Sequence, residues 1–222
     1  MCAEQLFDLA KNIALVLFGW LIGLLGPVIE DARKKKILLR ETRQGIIADL
    51  HVARLKLTTY YYRLCLRSGK FSKELLEWVE PRLRLASHVP ETSEMLKAME
   101  EVKGFDAETL SEHGKALAKQ ENKSFPTLKK VELPYLTGSH GLLGALGRST
   151  RLDALEVVSH LQSVNGEIDL AWWFYKKTLD PAAMQTNADI IENNLRDTLN
   201  SLANMCRREV ELIEKLERDL TP

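Results

Sequence analysis

The chain has 222 residues, 45% of them hydrophobic and 28% charged, with 31 Lys and Arg against 31 Asp and Glu. This length suits one domain, or one small domain with an appended element, and leaves enough residues to form a hydrophobic core. The zero net charge conceals a basic block, since residues 30–73 contain 12 Lys and Arg against 4 Asp and Glu, and residues 74–222 contain 18 against 25. A uniformly basic or acidic protein is excluded.

An uncharged stretch covers residues 12–29, between Lys11 and Glu30. As a helix rising about 1.5 Å per residue it would be about 27 Å long, close to the roughly 30 Å hydrocarbon core of a bilayer. A secretory signal has a basic start and a shorter apolar region, whereas this chain begins with Glu4 and Asp8. A buried helix of a soluble protein rarely has so long a run without a charge. We therefore predict a transmembrane helix over residues 12–29.

Four cations follow the predicted span directly: Arg33, Lys34, Lys35 and Lys36. Positively charged flanks stay on the cytoplasmic side, so we expect a short tail outside (residues 1–11) and a cytosolic domain (residues 30–222). The same cations would meet anionic headgroups, which makes the lipid bilayer a predicted partner. We expect no nucleic-acid partner, because no nucleic-acid-binding motif accompanies the basic block.

Three glycines lie within the predicted span, and Gly19 and Gly23 form a G-x-x-x-G pair with Gly26 about one turn further on. Lipid supplies no hydrophobic drive between helices, so close backbone approach across small residues provides the packing instead. We predict that the span contributes to self-association through Gly19, Gly23 and Gly26.

Helical spacing dominates the chain beyond residue 30, and no convincing alternating strand is found. One apolar stripe recurs at three- and four-residue steps: Ile46, Leu50, Ala53, Leu57, Tyr60 and Leu64. Ser68-Gly69 is expected to end that helix, because glycine accepts the left-handed conformation. Three shorter helices are predicted to begin at Ser72, Pro90 and Asp106.

An irregular connection is predicted for residues 122–141, in which Phe125, Leu133, Tyr135 and Leu136 pack against the helices. Two long helices follow, with near-heptad spacing in the first and a break at Asp180-Pro181 that favours an antiparallel hairpin. The predicted fold class is all-α: one transmembrane helix continuing into an elongated cytosolic helical bundle with long antiparallel helices.

Four consecutive aromatic residues occupy one turn of the first long helix: Trp172, Trp173, Phe174 and Tyr175. Successive helical residues lie about 100° apart, so the four cannot all face one core. One interpretation buries two or three of them among neighbouring helices. The other makes the outward members a contact with a partner protein or subunit, where aromatic residues are enriched. A membrane-interface role is the third, because Lys176 and Lys177 follow.

No segment carries a complete catalytic, cofactor-binding or metal-binding motif. Residues 141–150 partly match a phosphate-binding loop, but Leu142 stands where a glycine is needed and Arg148 where a lysine is needed. Ser139 and His140 are neighbours on a turn, which cannot form a triad. The five histidines never pair at metal-ligand spacing: His51, His88, His113, His140 and His160. We therefore predict no catalytic residue, no metal and no cofactor.

The predicted span, the helical bundle and the lack of catalytic motifs together indicate a single-pass membrane protein that serves interaction or assembly and not catalysis. We expect it to self-associate or to join a membrane complex. Three cysteines, odd in number and far apart, suit a reducing compartment. Two alternatives stay open. The first is an oligomerising effector that permeabilises the bilayer, and the second is an enzyme acting on membrane lipids through a site assembled in the bundle.

Overall fold

A computed structural model describes residues 3–121, 125–138 and 146–221, and within these residues every regular element is a helix. The helices are α1 (Ala3–Arg67), α2 (Lys73–Arg84), α3 (Pro90–Val102), α4 (Ala107–Glu121), α5 (Pro134–Gly138), α6 (Arg148–Thr178) and α7 (Pro181–Leu220). The prediction of an all-helical chain is confirmed. Two compact units divide after Gln44, and α1 contributes to both.

The first unit ends at Gln44 and consists of the N-terminal part of α1. Its described apolar side chains are exposed over residues 14–38, as with Val16 (72%), Trp20 (64%) and Ile29 (64%). An 18-residue window of α1 has a mean hydropathy of 1.7, and none of it is buried. By length and composition α1 is therefore able to cross a membrane, and its exposed apolar surface differs from that of a core helix.

The second unit, from Gly45 onward, contains the hydrophobic core, and the rest of α1 lies within that core. The six residues of the predicted stripe are at most 8% exposed, and Leu50, Ala53 and Leu57 are fully buried. Tyr61 and Tyr62 are buried as well, so this part of α1 is covered on more than one side. The predicted stripe is confirmed and underestimates the burial of the helix.

Helix α1 ends in a glycine turn, as predicted. Gly69 has a positive φ of 69°, a conformation that costs other residues a steric clash. The N–H of Lys70 donates to the carbonyl of Cys65 at 2.9 Å, and the N–H of Gly69 donates to that of Leu66 at 2.9 Å. These two bonds satisfy carbonyls that the end of the helix would otherwise leave unpaired.

The predicted starts of the later helices are confirmed by their caps. Ser72 Oγ accepts from the N–H of the residue three positions on at 3.2 Å, and Asp106 Oδ1 does the same at 2.8 Å. Asp180 Oδ1 accepts the N–H two positions on at 3.0 Å. Pro90 and Pro181 occupy the first turns of α3 and α7, where a missing N–H is tolerated.

The segment predicted to be irregular contains one short helix, α5, within its described part (residues 125–138). The N–H of Tyr135 donates to Asp49 Oδ2 at 2.6 Å, so a carboxylate of α1 caps α5. Leu133 and Leu136 are buried as expected, whereas the side chain of Tyr135 is 55% exposed. Its ring lies against Gly45, where an added Cβ would be 2.5 Å from Tyr135 Cδ1.

Helices α6 and α7 pack as an antiparallel hairpin, which confirms the predicted arrangement. His160 contacts Glu209, and Asp153, earlier in α6, contacts Lys215, later in α7. Apolar residues at three- and four-residue steps along both helices are buried, such as Val157 and Val164 of α6 and Leu202 and Ile213 of α7, whereas Tyr175 of α6 is half-buried. Helix α7 leaves helical dihedrals at Asn187 (φ −138°, ψ 23°), close to its start.

Two helical glycines lead to opposite expectations for substitution by alanine. At Gly114 an added Cβ would lie 2.5 Å from Phe71 Cβ, so the backbone of a neighbouring segment must move. We expect Gly114→Ala to lower the free energy of unfolding by about 1–3 kcal/mol, as overpacking does. At Gly166 the added Cβ meets no atom within 4 Å in the part of the chain that the structure describes. Gly166→Ala should therefore raise the free energy of unfolding by up to about 1 kcal/mol, because alanine has a higher helix propensity than glycine.

Chemical unfolding of the full chain in detergent, followed by far-ultraviolet circular dichroism, measures both changes. Equal effects of the two substitutions would contradict the packing described around Gly114.

Candidate functional site

The two described glycines of the predicted span are open to their surroundings. A Cβ added to Gly19 or Gly23 would meet no atom of the described residues within 4 Å. The packing around Gly26 lies outside the described residues. Gly19 and Gly23 therefore leave room for the close approach of another helix.

The four predicted topology residues, Arg33, Lys34, Lys35 and Lys36, are all exposed. Lys34 Nζ lies 2.7 Å from Glu30 Oε1, one turn earlier, and both side chains are well exposed, so water screens the pair strongly. The cations are thus directed to solvent.

Three of the four aromatic residues on α6 pack against the core. Trp172 and Tyr175 both contact the ring of Phe125, with centroids 4.5 Å and 4.3 Å from it. Trp172 Nε1 also donates to the carbonyl of Leu128 at 3.0 Å. Phe174 is partly buried against the same core. These contacts tie α6 to the segment that begins at Phe125.

Trp173 is the outward member of the aromatic run, with 53% of its surface exposed. Its ring contacts Phe174 at a centroid distance of 4.9 Å, and Lys177 Nζ lies 5.7 Å from its centroid. Leu170, one turn earlier, is 41% exposed. A partner contact at this stretch of α6 would therefore involve Trp173 and Leu170.

A buried acid–base pair between α6 and α7 was not predicted. Glu209 is completely buried, and its Oε2 lies 2.7 Å from Nδ1 of His160. Burial, followed by the neighbouring Glu156 carboxylate, raises the pKa of Glu209 to about 8. Burial and the Arg208 guanidinium lower the pKa of His160. Both shifts favour the uncharged forms of the two groups, in which the protonated carboxyl donates to Nδ1.

A second buried carboxylate, Glu217, lies two turns further along α7 and is 8% exposed. Its Oε2 accepts a short hydrogen bond from the Arg54 guanidinium, and its Oε1 lies 3.5 Å from His51 Nε2. Burial raises the pKa of Glu217 to about 7 although the Arg54 charge opposes the shift. This contact connects α7 to the buried part of α1.

The third contact of this part of α7 is with α2. Both guanidinium nitrogens Nε and Nη2 of Arg82 lie 2.8 Å from the Glu214 carboxylate. The same guanidinium stacks 3.9 Å from the centroid of Trp78, whose ring also contacts Tyr61 edge-on at 4.8 Å. Charge pairing and aromatic packing thus act together here. The C-terminal half of α7 contacts α1, α2 and α6 through polar groups as well as apolar ones.

Two motifs weighed from the sequence fall largely on residues whose structure is not described. Ser139 and His140 lie outside the described residues, as do residues 141–145 of the incomplete phosphate-loop motif; the rest of it begins α6. Within the described parts of the chain, no three His, Cys, Asp or Glu side chains are grouped so that they could hold a metal ion.

The described chain is thus an all-helical protein with one helix able to span a membrane and a packed domain with buried carboxylates. Comparisons with protein-family models, with characterised proteins and with solved structures find no match to it.

The raised pKa of Glu209 predicts that the stability of the protein depends on pH, and that replacing Glu209 with glutamine removes this dependence. A carboxyl whose pKa rises from 4.5 unfolded to about 8 folded holds its proton longer in the folded state, so stability is lost as the pH rises between these values. Glu209→Gln, which keeps a donor to His160, should gain stability relative to wild type across this window, by at most about 1.4 kcal/mol per pH unit.

Urea unfolding of the full chain at several pH values measures this difference. Glu211→Gln, two positions away with 51% of its side chain exposed, is the matched control and should retain the wild-type pH dependence. A constant difference between Glu209→Gln and wild type at every pH would contradict the assignment.

Proposed function

We propose that the chain is a single-pass membrane protein whose helical cytosolic domain is a non-catalytic interaction or assembly module. The observation that carries this proposal is the apolar window of α1, none of which is buried by the chain itself. Exposed apolar surface of that length is stable in hydrocarbon and unfavourable in water. The same helix provides the buried stripe of the second unit, so membrane anchor and domain share one continuous element.

Orientation is proposed from the charged flank. Arg33, Lys34, Lys35 and Lys36 follow the apolar window and are exposed, so residues 30–222 belong in the cytosol and residues 1–11 outside. The same four cations would bind anionic headgroups at the cytoplasmic face. The bilayer is then both solvent and electrostatic partner of the chain.

Self-association is proposed through the open glycines of the span, and contact with another subunit through Trp173. No described residue fills the space beside Gly19 and Gly23. Trp173 exposes half of a large aromatic side chain, the residue type most enriched at interaction hot spots. The glycine face of the span and the exposed Trp173 could each contact a second copy of the chain or a different protein.

The proposed orientation makes a tag at the C-terminus inaccessible from outside the cell. In intact cells we expect externally added protease to spare the tag, and to remove it once the membrane is breached. A cytosolic protein and an external domain, each tagged in the same way, are the controls. Digestion of the tag in intact cells would reverse the proposed topology.

Replacing Gly19 and Gly23 with isoleucine should weaken self-association in the membrane, because two branched side chains separate the backbones. The measurement is energy transfer between labelled copies in vesicles, and the matched control is Leu17→Ile with Leu25→Ile on the opposite side of the helix. Membrane insertion should be unaffected in both double variants.

Equal energy transfer in the glycine and leucine variants would mean that any oligomer is built by the cytosolic helices alone. The same vesicles, loaded with dye, separate assembly from permeabilisation. We expect the dye to be retained, because an apolar span offers no polar lining to ions. Leakage that depends on protein concentration would favour the permeabilising effector.

A further inference from the structure

A cationic groove of about 710 Å³ lies within the second unit, where the end of α1, helix α4, the end of α6 and the first half of α7 meet. Arg67, Lys70, Lys115 and Arg196 line it, and Glu192 is the only carboxylate among its described lining residues. Each cation comes from a different part of the chain, apart from the neighbours Arg67 and Lys70. The excess of positive charge is a product of the fold and not of one basic run.

The net charge of the groove is opposite in sign to that of the unit around it. Residues 45–222 contain 24 Lys and Arg against 26 Asp and Glu, so the unit is slightly acidic while the groove carries four cations against one carboxylate. Cations in one concave, partly apolar site repel each other and focus a positive potential on the space between them. An anion in the groove would relieve that repulsion.

The partners of two groove cations are neutral. Lys70 Nζ donates to Asn200 Oδ1 at 3.3 Å, and Arg196 Nη2 donates to Asn193 Oδ1 at 2.8 Å. Elsewhere in the unit Arg54 and Arg82 each pair with a glutamate. Amide oxygens orient Lys70 and Arg196 without cancelling their charge, which leaves the charge of these two cations for a ligand.

Charge and lining together define the ligand class. One phosphate group carries about −1.5 to −2 at neutral pH, so two are needed to balance a net charge of about +3. Leu64, Leu195 and Leu199 add an apolar wall beside the cations. We propose that this groove binds a molecule with a diphosphate group, which the lysines and arginines hold and whose organic part lies against the leucines. Nucleotides and isoprenoid lipids both supply this chemistry.

Isothermal titration calorimetry tests the proposal on the full chain in nanodiscs of neutral phosphatidylcholine. We expect inorganic pyrophosphate to bind saturably and more tightly than inorganic phosphate. Removing Lys70 and Arg196 together (Lys70→Ala with Arg196→Ala) should weaken pyrophosphate binding at least about tenfold, because two charge-assisted contacts are lost. Lys97→Ala with Arg151→Ala removes the same charges from exposed positions away from the groove and should have no effect.

Two further ligands identify the source of the diphosphate. ADP binding more tightly than farnesyl diphosphate assigns the groove to nucleotides, and the reverse order assigns it to isoprenoid lipids; each is expected to depend on Lys70 and Arg196. Thermal unfolding verifies that the double variant folds. Should it not fold, Lys115→Ala takes its place, with Lys97→Ala as control. The proposal would be overturned if pyrophosphate binding did not saturate, or if the groove and control variants weakened pyrophosphate binding equally.

Discussion

The burial of α1 between Gly45 and Arg67 is the constraint on which the packed unit depends. Leu50, Ala53 and Leu57 are fully buried, so the helix touches neighbours along its whole inner length. A helix enclosed in this way must also satisfy its polar side chains. Tyr60 meets this demand by donating to the carbonyl of Lys129 at 3.1 Å and accepting from its N–H at 3.0 Å. Arg54 meets it through Glu217. The buried part of α1 therefore fixes the connecting segment and α7 through polar contacts as well as apolar ones.

This constraint explains one of the two buried carboxylates of α7. Glu217 is buried where it pairs with the guanidinium of Arg54. Removing either partner would leave an uncompensated buried charge, which costs about 3–5 kcal/mol in comparable sites. Glu209 has no cation of that kind and is held instead by the imidazole of His160. The two sites share a helix and differ in their chemistry: one retains an ionic partner, and the other is stable as a neutral hydrogen-bonded pair.

What the sequence predicted is mostly local, and what it missed is mostly long-range. The caps at Ser72, Asp106 and Asp180 and the apolar stripe of α1 depend on residues within one or two turns, so spacing alone predicts them. Helix α5 was missed because its cap, Asp49, lies on another helix. The buried carboxylates of α7 were missed because a charge in an amphipathic helix usually marks the solvated face. The groove was missed because its cations are separated in sequence and converge only after folding.

The two halves of helix α7 make different contacts. Its C-terminal half carries the buried carboxylates and holds α1, α2 and α6 together. Its N-terminal half carries Arg196 into the groove, and Asn200 beyond it orients Lys70. Lys70 reaches that asparagine because the left-handed Gly69 ends α1 and turns the chain. The turn that ends α1 thus also brings Lys70 to the cationic groove.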